Sequence, residues 1–503
     1  MVEVAEKSNL IFVDKILDNV HGFIYFTEAE RKIINTQLFK RLQSIKQLSV
    51  ANWIFPGSEH TRYVHSLGVM HIADRIAQKL ELSTDERKII RLAGLLHDIG
   101  HYPLSHVCEA PYKHELICVD EEQYCDSVNQ AVIHQIETFK IPTTKEYMNP
   151  SRGGHHEAIG SLIISKDEKI RQILSEECGE DAIGVICDII VGRLRPESDP
   201  LLVQILHSEL DADGIDYLLR DAAFSGTSFG HFELDLLINS FEKREFHGKQ
   251  ILCISPKGIA AADQYLINKF FSYSQVIFNK HVTNLEWMAE QIVDWVQKGE
   301  FNKRHTSFPS KETLLNDWLR SGSTYNEFLA FTDNFFWSAL NDIVKNPAAP
   351  YLPTFITTFC NKLLHHEELD YVENSEVKFI SAIETNIQDE LKKSSYYVDL
   401  KSNLLPDNIF ALLHTRTMTK QTPDKEFNKM LDELSYGEED KDIDIEDVEN
   451  MRKNMSLSRF IECICVVDDD DMHLLCDDKR SLMQQLYNST LVILRCFHFP
   501  ISG

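Results

Sequence analysis

Apolar residues recur at helical spacing through residues 62–99, and this run constrains the fold more than any other feature of the sequence. Steps of three and four residues place these side chains on one face of each helix. We predict one helix from about Arg62 to Leu80 and a second from Thr84 to Ile99, which Gly100 ends. The 503 residues include only 20 Gly and 15 Pro, too few for many short strands and tight turns. The sequence therefore predicts a mostly α-helical protein.

The whole chain divides into two predicted regions and contains local signals for further helices and strands. Thr27 is a candidate helix cap, and a His247-Gly248 turn predicts a few short strands within residues 233–254. Residues 1–290 are predicted to form a core domain, and residues 291–503 a helical C-terminal region for oligomerisation or regulation. Acidic residues near 433–450 predict a solvated loop in that region. Helical spacing predicts further helices within residues 10–49, 156–165, 170–194 and 200–223.

The charge balance excludes broad classes of partner. The chain carries 51 Lys and Arg against 78 Asp and Glu, a formal net charge of −27. Because non-specific nucleic-acid binding depends on Lys and Arg, this charge argues against a nucleic-acid partner. No apolar run reaches the roughly 18 residues of a membrane span, and the first residues lack a signal-peptide pattern. The 11 Cys include no C-x-x-C pair. We expect a cytoplasmic protein with reduced thiols and no membrane partner.

Four residues predict a metal centre: His65, the adjacent pair His97 and Asp98, and Asp213. The adjacent pair interrupts an otherwise apolar helix face, where unpartnered polar groups would cost several kcal/mol. Two imidazoles and two carboxylates suit a divalent ion such as Mn, Mg, Fe, Ni or Zn. Because no cysteine belongs to the set, a closed structural zinc site is disfavoured and an open, catalytic site is expected.

More ionisable groups surround this set than a metal needs. His101, His106 and Glu109 follow the His-Asp pair closely, and His156 lies further along the chain. Pro103 prevents a continuous helix here, so a turn can direct both nearby histidines into one cleft. These residues predict an acid/base cluster. The alternative is that the histidines only cap and hydrogen-bond the end of the helix.

The chain resembles the HD-domain deoxynucleoside triphosphate triphosphohydrolases. The resemblance covers about residues 15 to 230, and it implies a helical HD-domain core. The order and spacing of the matching stretches are specific, whereas the His-Asp pair alone would be a weak signal. These stretches read VHGFIYFTEAERKIINTQLFKRLQSIKQL, FPGSEHTRYVHSLGV, LAGLLHDIGHYPLSH, HHEAIGS and ELDADGIDYLLRDA.

The resemblance implies roles for individual residues. His106 matches the group that protonates the leaving 5′-oxygen, and His101 matches one that faces the phosphates. His156 and Glu109 match a histidine–carboxylate pair at the reaction centre. The matching metal ligands are His65, His97, Asp98 and Asp213. The matching substrate contacts are Gln47, Leu48, Arg62, Tyr217 and Asp221, while Lys269 and Lys280 are candidates for further phosphate-binding cations.

The implied reaction is metal-dependent hydrolysis of a deoxynucleoside triphosphate to a deoxynucleoside and inorganic triphosphate. Implied partners are the dNTP substrate, a nucleotide activator and further copies of the chain in a dimer or tetramer. The implied use is control of dNTP pools or depletion of dNTPs against a virus.

The sequence also departs from the vertebrate family pattern at several positions. Gly214 stands where the vertebrate enzyme has a phosphate-binding lysine, and Glu109 replaces an aspartate. Asn35 and Gln43 replace an acid and an arginine that hold a guanine activator, which argues against GTP activation. Ile277 lies near the position of a ribose-excluding tyrosine, and we expect deoxyribonucleotides to be preferred.

Two alternatives stay open. One is another HD phosphohydrolase, a phosphodiesterase or an alarmone hydrolase, although the Glu-Asp pair typical of alarmone hydrolases is replaced here by residues 99–102. The other is a nucleotide sensor with weak catalysis. A turnover assay separates an enzyme from a sensor.

Overall fold

The fold is described from a computed structural model. The described residues are 10–113, 121–140, 155–195, 199–297, 308–310, 313–314, 325–345, 353–402, 406, 408–419, 463–468 and 471–500. Within them the chain is mostly helical with a few short strands, as predicted. None of the described helices is long and apolar enough to cross a bilayer. The predicted acidic loop near 433–450 lies outside the described residues.

Twelve described helices precede residue 241. They are α1 (Glu28–Ile34), α2 (Gln37–Arg41), α3 (Arg62–Lys79), α4 (Thr84–Leu96), α5 (His106–Lys113), α6 (Glu121–Glu137), α7 (His155–Lys166), α8 (Glu168–Cys178), α9 (Glu180–Ile190), α10 (Leu201–Leu206), α11 (Ala212–Ser225) and α12 (Leu234–Ser240). Eight further helices are α13 (Ile259–Ser272), α14 (Lys280–Gln297), α15 (Tyr325–Ala330), α16 (Asp333–Lys345), α17 (Thr354–Leu364), α18 (Glu384–Lys393), α19 (Ser395–Lys401) and α20 (Met483–Leu486).

The described strands form three small sheets. Strands β1 and β2 form a hairpin, β3-β4-β7-β8 form a second sheet, and β5-β9-β6 form a third. All pairs are antiparallel except β4 with β7. The strands are β1 (Asp14–Asp18), β2 (Gly22–Phe26), β3 (Phe241–Phe246), β4 (Lys249–Ile254), β5 (Val377–Ser381), β6 (Ile409–Thr417), β7 (Cys465–Asp468), β8 (Asp471–Leu474) and β9 (Thr490–His498).

Local capping explains where the first helices begin. The Thr27 hydroxyl accepts from the backbone N–H of Glu30, whose carboxylate accepts from the N–H of Thr27, which confirms the predicted cap. Ser83 and Glu86 form the same reciprocal pair at α4. The predicted His247-Gly248 turn joins β3 to β4, with both residues at positive φ (51° and 73°).

The hairpin β1–β2 occupies part of the segment that was predicted to be helical, residues 10–49. Ile24 and Phe26 are buried while Phe23 and Tyr25 are exposed, an alternation with a period of two that favours a strand. The two longer predicted helices are also each divided. Gly179, at φ 86°, separates α8 from α9, and Asp211 caps a new helix, α11.

The region after residue 290 contains sheets as well as helices, so the prediction of a helical C-terminal region was incomplete. Strands β6 and β9 pair over nine residues, and β7 joins the sheet begun by β3 and β4. Position 290 itself lies inside α14. One apolar cluster contains residues from Ile24 to Phe499, so both sides of that position share a core.

The turn that follows α4 approaches α7 closely beside the His-Asp pair. A Cβ added at Gly100 would lie 2.1 Å from the carbonyl oxygen of His156 and 2.4 Å from the backbone nitrogen of Gly160. Because the obstacles are backbone atoms, only glycine fits here. This contact brings His156 next to the turn that follows α4.

Two carboxylates of α14, those of Glu286 and Glu290, line a cavity of about 270 Å³ together with Trp287 and His414. Burial raises the pKa of each of these glutamates from 4.5 to about 8. Between these two pH values the folded chain holds protons that the unfolded chain releases. The free energy of unfolding therefore falls as the pH rises through this window.

We expect Glu286→Gln and Glu290→Gln to raise the melting temperature at pH 8 by several degrees and to leave it unchanged at pH 4.5. The reason is that glutamine removes the cost of burying a group that ionises when the chain unfolds. Circular dichroism at the two pH values measures the difference, with the exposed Glu390→Gln as control. Equal shifts at both pH values would contradict this origin.

Candidate active site

Three helices bring the four predicted metal ligands together. His65 lies on α3, His97 and Asp98 follow α4, and Asp213 lies on α11. Ligand atoms of the first three lie within 4.8 Å of one another. An Asp213 oxygen, Oδ1, lies 2.9 Å from Nε2 of His65 and 3.9 Å from Nε2 of His97. The four side chains therefore converge on one point.

Hydrogen bonds on the far side of each imidazole fix its tautomer. Nδ1 of His97 donates to the carbonyl of Gly94 at 2.8 Å, and Nδ1 of His65 donates to Asp216 at 2.7 Å. Both Nε2 atoms are buried; that of His97 has no hydrogen-bond partner among the described residues, and that of His65 faces the carboxylate of Asp213 at 2.9 Å. An imidazole fixed in this way presents the lone pair of Nε2 to a metal. The residues present thus fit a divalent ion.

The two aspartates around Ala212 have different environments. Asp211 caps α11 by accepting from the N–H groups of Gly214 (2.6 Å) and Ser208 (3.1 Å). Burial and the neighbouring Asp213 raise the pKa of Asp211 to about 6. Although burial acts in the same direction on Asp213, the hydrogen bond and charge of His65 hold its pKa below the usual value. Asp211 is therefore suited to a structural role and Asp213 to ligation.

Asp98 is 1% exposed and pairs with Arg62, whose Nη1 donates to it at 2.9 Å. Burial opposes its ionisation, but Arg62 and the adjacent histidines hold the pKa of Asp98 far below the usual range. Arg62 is the first residue of α3, so its guanidinium lies at a helix N-terminus that also favours anions.

A second group of side chains contacts the predicted metal ligands through Asp98. Its members are His101, His106, Glu109 and His156. The rings of His101 and His156 stack at 3.9 Å between centroids. Glu109 accepts from Nδ1 of His106 at 2.8 Å and from Nδ1 of His156 at 3.0 Å. His101 and His156 approach Asp98 at 3.5 and 3.9 Å. The predicted acid/base residues are therefore adjacent, and Glu109 holds two of them.

The histidines of this group differ in pKa. Burial alone would lower the pKa of His156, but the Glu109 carboxylate raises it above the ordinary value. Burial and the charge of Arg62 lower the pKa of His101 well below the ordinary value, so its ring is neutral. His106 has 67% of its side chain exposed and can reach a ligand from the open side.

The predicted substrate contacts differ in their surroundings. Lys269 is 9% exposed, donates to the hydroxyl of Tyr265 at 3.2 Å and lies over the ring of Tyr217. Oε1 of Gln47 is buried without a hydrogen-bond partner among the described residues, and Leu48 beside it is partly buried.

Two further candidates, Asp221 and Lys280, contact other residues of the protein. Asp221 is already engaged by Nε2 of His60 at 2.8 Å. Lys280 is exposed and lies over Tyr371 instead, so the structure gives it no contact with the residues above.

Sequence analysis missed the residues that support the ligands. Asp216 holds His65, and a spacing of three residues from Asp213 on α11 was the available signal. Ser105 accepts from Nε of Arg62 at 2.9 Å, and Asp333 accepts from the N–H of Leu104 at 2.7 Å. No local pattern marks these two residues.

The chain is similar to several known proteins. Residues 62–207 match the family model of the HD domain. An uncharacterized protein of Mycoplasma genitalium is 26% identical over 397 residues, which are 75% of this chain and 82% of that protein. The deoxynucleoside triphosphate triphosphohydrolase SAMHD1 homolog of Dictyostelium discoideum is 29% identical over 226 residues, 42% of this chain and 37% of that protein.

The overall fold also has a solved counterpart. A phosphohydrolase from Bacteroides thetaiotaomicron superimposes with a TM-score of 0.61, covering 96% of this chain and 99% of that one at 18% identity. The solved structure shows a shared fold, while the HD-domain match and the curated relatives support a hydrolase with an HD-type metal site. The chain contains an HD domain at residues 62–207, and over part of its length it is similar to the SAMHD1 deoxynucleoside triphosphate triphosphohydrolases.

Proposed function

We propose that this protein hydrolyses deoxynucleoside triphosphates to deoxynucleosides and inorganic triphosphate in a metal-dependent reaction. The observation that carries the proposal is the convergence of the buried Nε2 atoms of His65 and His97 on the carboxylates of Asp98 and Asp213, beside Arg62. Such a set combines a cation site with an anion-binding guanidinium, which phosphoryl chemistry requires.

His65, His97, Asp98 and Asp213 would hold the divalent ion. When bound, the ion acts as a Lewis acid toward a phosphoryl oxygen. Nε of Arg62 donates to Ser105 and Nη1 donates to Asp98, and these two hydrogen bonds fix the plane of the guanidinium. Nη2 is then left to bind a phosphate oxygen. Lys269 adds a second cation, because the hydroxyl of Tyr265 and the charge of Asp211 raise its pKa against the effect of burial.

The second group of side chains handles protons. Water attacks the α-phosphorus, the bond to the 5′-oxygen breaks, and that oxygen takes a proton from Nε2 of His106. Glu109 holds Nδ1 of His106, which orients the ring and stabilises its protonated form. The proton of the attacking water passes to Nε2 of His156, whose basicity the same carboxylate raises.

The function is tested by incubating the purified protein with each dNTP, alone and in pairs, in the presence of Mn or Mg. We expect a deoxynucleoside and inorganic triphosphate, separated by ion-exchange chromatography. The pairs report whether one nucleotide activates hydrolysis of another. Monophosphate with pyrophosphate would instead indicate a different HD phosphohydrolase. Binding without turnover would indicate a nucleotide sensor.

Sugar preference follows from the same assay. Ile277 is partly buried near the position that excludes ribose in the vertebrate family members. We expect dATP to be hydrolysed at least about tenfold faster than ATP, since one hydroxyl in a close apolar contact is discriminated on this scale. Equal rates for the two nucleotides would refute the preference.

Removing a ligand tests the metal centre. We expect His97→Ala and Asp98→Ala to lose the bound metal and to reduce turnover by more than about 100-fold. The reason is that changing residues which only support the ligands already lowers metal affinity or activity by about 10- to 100-fold. Metal content by mass spectrometry and circular dichroism are read on the same samples. His414→Ala, on β6, is the matched control and should keep both metal and rate. A fully active His97→Ala protein would rule out the assignment.

A further inference from the structure

The turn between His101 and His106 has an unfavourable backbone conformation. Leu104 and Ser105 lie in the left-handed region at φ 49° and 55°, and neither is glycine. Residues other than glycine persist in this region only where surrounding contacts impose the conformation. Both residues are at most 2% exposed. The contacts that impose this conformation are therefore part of the site.

One contact comes from the C-terminal half of the chain. Asp333, the first residue of α16, is 7% exposed. One of its carboxylate oxygens accepts from the N–H of Leu104 at 2.7 Å, and the other accepts from the N–H of Lys46 at 2.9 Å. A single buried carboxylate thus joins the strained turn to the segment that precedes α3.

The same two segments hold Arg62. Ser105 Oγ donates to the carbonyl of Lys46 at 2.6 Å and accepts from Nε of Arg62 at 2.9 Å. Nη1 of Arg62 then donates to Asp98. If Lys46 and Leu104 separate, the hydroxyl cannot keep both bonds. The orientation of the guanidinium therefore depends on the carboxylate of Asp333.

A neighbouring residue fixes the other end of the turn. Arg41 is 4% exposed and donates both to the carbonyl of Phe331 and to the carbonyl of His101, each at 2.6 Å. Its guanidinium also lies 4.1 Å from the ring centroid of Phe328. Residues 328–333 consequently restrain the turn at both His101 and Leu104.

We propose that Asp333 is a positioning residue for the active site, which acts through the Leu104–Ser105 turn to orient Arg62 toward the phosphates and to place His106. Asp333 lies outside the matched HD domain, so this assigns a role to the C-terminal region. The effect of Asp333 on the rate of hydrolysis rests on the proposed function, whereas its effect on the backbone of Leu104 and Ser105 does not.

The test compares Asp333→Asn with Asp263→Asn. Asp263 is a matched control because it is also buried and its two oxygens also accept from two donors, here the hydroxyl of Ser481 and the backbone N–H of Leu482. An asparagine can accept from only one of the two N–H groups at position 333. Hydrogen exchange of the metal-loaded proteins should rise at least about tenfold at Lys46 or Leu104 in Asp333→Asn, and should stay at the wild-type rate at both residues in the control.

Ligand binding and turnover give the second readout. Asp333→Asn should retain its metal, bind inorganic triphosphate about 10- to 100-fold more weakly by calorimetry and lose dNTP turnover on the same scale. Asp263→Asn should match wild type in both. A protein of unchanged exchange and triphosphate affinity would overturn the proposal.

If Asp333→Asn does not fold, Ser105→Ala tests whether the turn orients Arg62. Ser105→Ala deletes only the hydroxyl between Lys46 and Arg62, and it should weaken triphosphate binding while the melting temperature stays close to wild type. Unchanged affinity in Ser105→Ala would refute the link to Arg62. Absence of dNTP hydrolysis by the wild-type protein would refute the proposed function alone, since hydrogen exchange still reports on the turn.

Discussion

The buried charge of Asp98 is the constraint on which the site and its helices depend. Arg62 neutralises it directly at 2.9 Å, and four imidazoles surround its oxygens at 3.3 to 3.9 Å: His65, His97, His101 and His156. A carboxylate so far from water is stable only while these partners stay in place. Helices α3 and α7 and the turn after α4 must therefore remain packed together.

That packing reaches well beyond the HD domain. Gly100 allows α7 to pass within backbone contact of the His-Asp turn, and Asp216 holds His65 from α11. Arg220 pairs with Asp216 and with Asp18, which ties the N-terminal hairpin to the same network. Asp333 and Phe331 add restraints from the C-terminal half. The site is a product of the whole fold, although its ligands lie on three helices.

Local features of the fold were predictable because their causes are local. Thr27 and Glu30 form a cap within three residues, and α3 and α4 follow from apolar spacing within a few turns. The hairpin β1–β2 was missed because its alternation is short. Strands β6 and β9 were missed because each is stabilised by a partner that is remote in the sequence, as in the pairing of His414 with Ile493.

The sequence by itself determined the residue types of the site, the helices that carry them and the acidic character that disfavours nucleic acid. Only the tertiary structure decided which nitrogen of His65 faces the other predicted metal ligands and which carboxylate holds the Leu104–Ser105 turn. The pairs that settle these points are remote: His65 and Asp216 are 151 positions apart, and Leu104 and Asp333 are 229 apart. Hydrogen bonds across such separations depend on packing of the complete core, which no local pattern in a single sequence encodes.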